Sequence, residues 1–169
     1  MSQTQVERLF IKDKPHIMAE TWRIHTSLVA SNGDNFITAN LERADATHDA
    51  QLNAGMTESS GVFTFPKTGM YRVTLDLYLY SDSQGSSNYI GGVIHVTTDN
   101  SSYNYASLGY CEVTANGDHE HIHIQQNVDV TNTGLVKVKF NVQPENNITV
   151  TGHSSQNRTH MTFTYLGDT

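Results

Sequence analysis

Three histidines separated by single residues, His119, His121 and His123, form the sharpest concentration of reactive side chains in this 169-residue chain. Alternate positions of a strand share one face, so an extended run lines up three imidazoles opposite Ile122, Ile124, Val128 and Val130. Imidazole is a common ligand for zinc and similar divalent ions. Residues two apart on a strand are roughly 7 Å apart, too wide for one ion to take all three from one chain. One strand can supply two ligands at most, and the plain alternative is an exposed or interfacial polar face. The single cysteine, Cys111, reads as a small buried apolar side chain, because a nucleophilic thiolate needs a neighbouring His and an electropositive niche.

Other chemistries find no motif. There is no Gly-x-Ser-x-Gly elbow, and Gly91-Gly92 sits inside a strand pattern where a bulge or a close backbone approach is the expected role. The histidine run departs from that of the cupin metalloproteins: Gly117 stands too near His119, and Gln125 and Gln126 occupy the region of the expected Glu. The sequence therefore points away from an enzyme. Tyrosine is the richer inventory, with Tyr78, Tyr80, Tyr89, Tyr103, Tyr105 and Tyr110 gathered in the middle of the chain. Such rings, apolar with a hydrogen-bonding tip, suit a second sheet's core, a subunit interface or a glycan platform.

These side chains must be held by strands. Met70 to Tyr80 alternates strictly, with Tyr71, Val73, Leu75, Leu77 and Leu79 on one face and Arg72, Thr74, Asp76, Tyr78 and Tyr80 on the other. Similar runs cover 89–98, 103–114, 119–130, 135–142, 148–151 and 159–166, separated by short polar turns, and no helical periodicity competes. Ile17 to Ala30 is extended, and Ser31-Asn32-Gly33-Asp34 predicts a hairpin turn before a further strand over 36–41. Asn116-Gly117-Asp118 predicts another hairpin. Residues 42–60 read mostly as loop. Short strands recurring about every ten residues mean a sandwich, jelly roll or barrel. The formal charge of -7 with ten Lys and Arg excludes a nucleic-acid surface. No apolar run is long enough for membrane insertion, and Met1 to Gln5 carries no signal-peptide pattern.

The order Gly61-x-Phe63-Thr64-x-Pro66-x-x-Gly69-x-Tyr71 resembles the central signature of the C1q/TNF-like trimeric jelly rolls. Lys14-Pro15 resembles the step before their opening strand, and Phe163, within Thr162 to Gly167, resembles the inward aromatic of their closing strand. The resemblance spans residues 14 to 167 and implies an all-β jelly-roll sandwich of about ten antiparallel strands that assembles as a homotrimer. It further implies that outward aromatics line the subunit contact, making Tyr78, Tyr80, Tyr89, Tyr103 and Tyr105 trimer-interface candidates. An axial divalent metal held by His119, His121 and His123 of three subunits would follow from the same symmetry.

Residues 1–13 stand apart from the domain at 14–169. Val6, Leu9, Phe10 and Ile11 make a terminal apolar patch that either packs on its own domain or serves as a docking arm with its hinge at Lys12 to Pro15. A jelly roll rich in Asn and Thr, with a short arm and no collagen-like repeat, is similar to the C1q-like domains of tailed bacteriophages. That resemblance implies a virion-surface protein made in the host cytoplasm: a head-decoration, fibre or knob protein docked on other virion proteins and meeting a host glycan. A soluble C1q-like lectin for carbohydrates or receptors, with no particle attached, is the alternative.

Overall fold

The computed structural model describes residues 17–53, 55–82 and 86–169. Among them there is no helix, and thirteen strands follow in order: β1 (Ala19–Ile24), β2 (Leu28–Ala30), β3 (Asn35–Phe36), β4 (Leu41–Arg43), β5 (Thr57–Ser59), β6 (Val62–Thr64), β7 (Gly69–Tyr80), β8 (Ser87–Thr97), β9 (Asn104–Val113), β10 (His119–Val130), β11 (Lys137–Pro144), β12 (Ile148–Val150) and β13 (His160–Gly167). The strands beyond the expected ten are pieces of two or three residues. A seven-stranded sheet runs β2-β12-β7-β13-β1-β4 with β10 on the other side of β7, and a six-stranded sheet runs β5-β6-β11-β8-β9 with β3 added on β11. This is an all-β jelly-roll sandwich of two antiparallel sheets.

Alternation decides which side chains fill it. Tyr71, Val73, Leu75, Leu77 and Leu79 of β7 are fully buried, as are Val138, Phe140 and Val142 of β11 across the sandwich. Burying each such side chain contributes roughly 1.5–3 kcal/mol, which fixes the register because a one-residue slip would turn the whole set to water. The signature residues sit at the centre. The Phe63 ring packs edge-on against Trp22 and Phe140 and lies 5.0 Å from Phe163. Tyr71 is buried with its hydroxyl donating to the Lys67 carbonyl, which closes the turn that Pro66 opens. Gly61 has φ +80° and a Cβ there would stand 2.3 Å from the Ile37 carbonyl oxygen, so the position accepts nothing larger. Gly92 shows the close approach expected of the paired glycines: a Cβ would meet Leu77 Cδ1 at 2.7 Å.

Three expected connections differ. The Ser31–Asp34 turn exists, but β2 pairs with β12 and β3 with β11, so it carries the chain between sheets and makes no hairpin. The Asn116–Asp118 turn, with Gly117 at φ +92°, likewise joins β9 of one sheet to β10 of the other. Turn chemistry specifies a local reversal; long-range burial chooses the partner. The strand expected over 36–41 is broken, because Asn40 takes a positive φ of 60° and sends β4 to the opposite sheet from β3.

The largest buried polar group lies on β1. Arg23 is wholly inaccessible and its guanidinium donates to Glu42 at 2.8 Å, Asp45 at 2.6 Å and Asp49 at 2.9 Å, with further bonds to the Ser154 carbonyl and Asn157. Loop 44–50 is thereby tied to the loop before β13. Beside it, buried Glu20 accepts from Trp22 Nε1, Arg43 Nε and the amides of Gly55 and Met56.

Candidate functional site

The side chains of β7 that point away from the core meet those of β10 and β13. In the β7–β10 register His119 stands opposite Tyr80, His121 opposite Tyr78 and His123 opposite Asp76; on the other side of β7, His160 of β13 is also opposite Asp76. The period of two therefore gathers four imidazoles, two tyrosines and one carboxylate on the outer face of the seven-stranded sheet.

Asp76 is the focus of that face. Its side chain is 13% exposed, and Oδ1 lies within hydrogen-bond distance, 2.7 Å, of His123 Nδ1. His121 Nε2 lies 3.5 Å from the same oxygen, and His160 Nε2 lies 3.6 Å from Oδ2. The His119 ring stacks on Tyr80 at 4.6 Å and on Tyr78 at 5.5 Å. A hollow of about 770 Å³ opens beside them, lined also by Thr149, Gln156 and Arg158. Chemically the face offers imidazoles ready to pair with a carboxylate, aromatic area at half exposure, and hydroxyl and amide groups. Among the described residues no group of three or more His, Cys, Asp or Glu side chains is arranged to hold a metal within one chain. Here the three strand imidazoles turn to one carboxylate and two phenol rings.

The five tyrosines grouped as interface candidates do not share a face. Tyr78 and Tyr80 stand on the seven-stranded sheet; Tyr89, Tyr103 and Tyr105 belong to β8, β9 and the turn between them, on the six-stranded sheet. Tyr103 carries the Lys139 ammonium 3.8 Å above its ring. Cys111, half-buried, has its thiol pushed up to about 11 by burial and by the nearby carboxylates of Glu120 and Glu112, which suits the packing role. The arm residues Val6, Leu9, Phe10 and Ile11, and the boundary at 13/14, lie outside the described residues.

Sequence reasoning missed Asp76 and His160 as members of the histidine face. A signal was present for the first, since Asp76 falls on the outward alternation with Tyr78 and Tyr80. Nothing local marks His160, which reaches the face only through the β7–β13 pairing.

No protein-family model matches the chain, and no curated protein matches it. Its fold does match solved structures. Murine APRIL at pH 5.0 superimposes with a TM-score of 0.62 at 7% identity, covering 89% of this chain and 99% of that one. Eiger TNF from S. frugiperda superimposes with a TM-score of 0.56 at 14% identity, covering 92% and 96%. The likeness is one of fold alone: the chain shares the jelly-roll architecture of these proteins.

Proposed function

We propose that the protein is a non-enzymatic homotrimeric jelly-roll module in which the outer face of the seven-stranded sheet packs around a threefold axis. The observation that carries this reading is the face itself: Tyr78, Tyr80, His119 and His121 form an aromatic surface, with the His119 ring stacked on both tyrosines, that no other strand among the described residues covers. Its tyrosines suit the centre of a subunit contact, where aromatic residues are enriched. The resemblance to C1q/TNF-like jelly rolls supports the threefold arrangement.

Within that assembly the protein serves as a structural protein of a tailed-phage virion, a head-decoration, fibre or knob protein. Residues 1–13 dock it on capsid or tail proteins, and its surface meets host glycans. The resemblance of a jelly roll rich in Asn and Thr, with a short N-terminal arm, to C1q-like phage domains supports this, as does a composition with only 16% charged residues. Three subunits bring nine strand imidazoles to the axis, where His119, His121 and His123 would offer a divalent metal ligands from separate chains.

Light scattering tests the assembly. A mass of three times the 18.8 kDa chain is expected, with Tyr80→Glu reducing it to one. A monomeric parent, or a variant that stays trimeric, overturns the proposed contact. Metal analysis of the purified trimer, repeated with each histidine replaced, tests the axial ion; a metal-free trimer of unchanged stability removes it. Deleting residues 1–13 separates the virion protein from a free lectin: the virion reading requires lost incorporation into particles with the trimer intact.

A further inference from the structure

The opposite face of the sandwich carries a second concentration of aromatic rings that the trimer does not use. Tyr89 is 48% exposed, Tyr105 is 55% and Tyr110 is 63%, high values for rings that stand together on one sheet. Tyr89 and Tyr110 meet at 87° with centroids 6.4 Å apart, so their faces form the two walls of a corner. Gly91 leaves room for two of the side chains around it: a Cβ there would stand 3.1 Å from Tyr110 Cε1 and 3.4 Å from the Gln143 side chain. The hollow lined by Tyr89, Tyr110, Gln143, Asp34, Gly33 and Pro144 measures about 380 Å³, within the roughly 300–1,000 Å³ of small-ligand sites.

One side of this hollow is polar and held in place. Gln143 Nε2 donates to both Tyr105 Oη and Asp34 Oδ1, and Asn141 Nδ2 donates to Asp34 Oδ1 at 2.8 Å. The hydrogen bonds from Gln143 and Asn141 hold the Asp34 carboxyl below the usual carboxylate range, against the opposing effect of burial, so it is ionised at neutral pH. Beneath Tyr105 lies His95, 3% exposed, its ring edge-on to Tyr105 at 4.6 Å and 5.0 Å from Phe36. Neither of its nitrogens has a hydrogen-bond partner among the described residues, and burial keeps the ring neutral by lowering its pKa. A buried imidazole with both positions open beneath exposed rings is a polar reserve that the fold itself leaves unused.

We propose that the hollow bounded by Tyr89, Tyr110, Gln143 and Asp34 binds a neutral hexopyranoside. A pyranose presents a face of C–H groups and an edge of hydroxyls. The C–H face suits the electron-rich faces of Tyr89 and Tyr110, and the hydroxyl edge suits the planar amide and carboxylate of Gln143 and Asp34. Charge selects the neutral class: Asp34 is anionic, and Glu145, which accepts from the Asn88 amide at 2.8 Å, is close along the same rim. The nearby cation Lys139 is occupied over the rings of Tyr103 and Phe36. This site rests on the glycan contact of the proposed function, to which it gives a place and a sugar class, and it is independent of the trimer, since a monomer would carry the same hollow.

Saturation-transfer NMR on the full chain tests it, with methyl glucoside, methyl galactoside, methyl mannoside and N-acetylneuraminic acid as probes. Transfer to the ring C–H protons of at least one neutral glycoside is expected, with none to the anionic sugar. Tyr110→Ala and Gly91→Ala should each weaken binding by about tenfold or more, the first by loss of one stacking wall and the second by a methyl group that crowds Tyr110 and Gln143. Tyr110 is exposed, so its variant folds, and His121→Ala on the other face serves as the control that keeps binding. No transfer to any neutral glycoside, transfer that survives both substitutions, or preference for the anionic sugar overturns the proposal. The oligomeric mass, measured separately, is unaffected by any of these outcomes.

Discussion

Replacing Arg23 by Met removes a buried guanidinium while keeping much of the side-chain volume. The three carboxylates it holds differ in what happens next. Asp45 is 78% exposed and Glu42 is 31% exposed, so water can take over from the arginine at both. Asp49 is only 9% exposed and would be left as a buried charge with Asn157 and the Ala46 amide as its remaining partners. Breaking a buried pair from one side costs about 3–5 kcal/mol. With one stranded carboxylate of three, the expected loss is near 3 kcal/mol, or about 6–12 °C in Tm for a chain of this size. Thermal melts followed by circular dichroism, at one fixed protein concentration, measure it. Arg23→Met with Asp49→Asn should recover about half, because removing both charges removes the stranded one. Acid gives an independent check. Burial raises the Asp49 carboxyl, but the bonds from Asn157 and Ala46 with the charges of His48 and Arg23 outweigh it, and the net direction is down. A depressed carboxyl stabilises the fold above its unfolded pKa of about 3.9 and loses that contribution as pH falls through the folded value. The parent should therefore lose stability below about pH 4 more steeply than the double variant. An Arg23→Met protein within about 0.5 kcal/mol of the parent would refute the reasoning.

Gly61→Ala and Gly117→Ala both place a side chain at positive φ, but a Cβ at Gly117 meets nothing within 4 Å while one at Gly61 meets the Ile37 carbonyl. The first should cost more than about 2 kcal/mol in urea unfolding and the second about 1 kcal/mol, and equal losses would remove the steric argument. With its thiol pushed up to about 11, Cys111 should react with iodoacetamide at pH 8 at least about a hundredfold more slowly than a free cysteine. Labelling at the free rate would show the side chain is not held as described. Asp99 accepts from the Ser102 amide, the Thr97 hydroxyl and the Ser101 amide, which bring its carboxyl down to about 2. Its carbon resonance should titrate with a midpoint near that value, and an ordinary midpoint near 3.9 would mean the turn is open in solution.

How much of this was legible in the chain depends on the range over which each feature is encoded. The faces of β7 and β10 are written locally: a period of two over twelve residues separates Leu75 from Asp76 and Ile122 from His121, and burial follows it without exception. The glycine and proline positions of the signature are also local, because a positive φ or a missing N–H constrains the backbone at that residue alone. Strand partnership is another matter. Asn116-Gly117-Asp118 has the chemistry of a hairpin, yet β9 pairs with β8 and β10 with β7, in different sheets. Both candidate faces depend on partnership. Asp76 and His160 become one cluster through a pairing 84 residues long in sequence, and Tyr110, Gln143 and Asp34 converge from β9, β11 and the loop after β2. Arg23 was hidden for a related reason. Nothing in the extended run 17–30 singles it out, and the acids that bury it sit in a stretch whose composition looks like loop. That stretch has no apolar pattern because its contribution to the fold is made by carboxylates, whose positions matter only after β1 and β4 have paired.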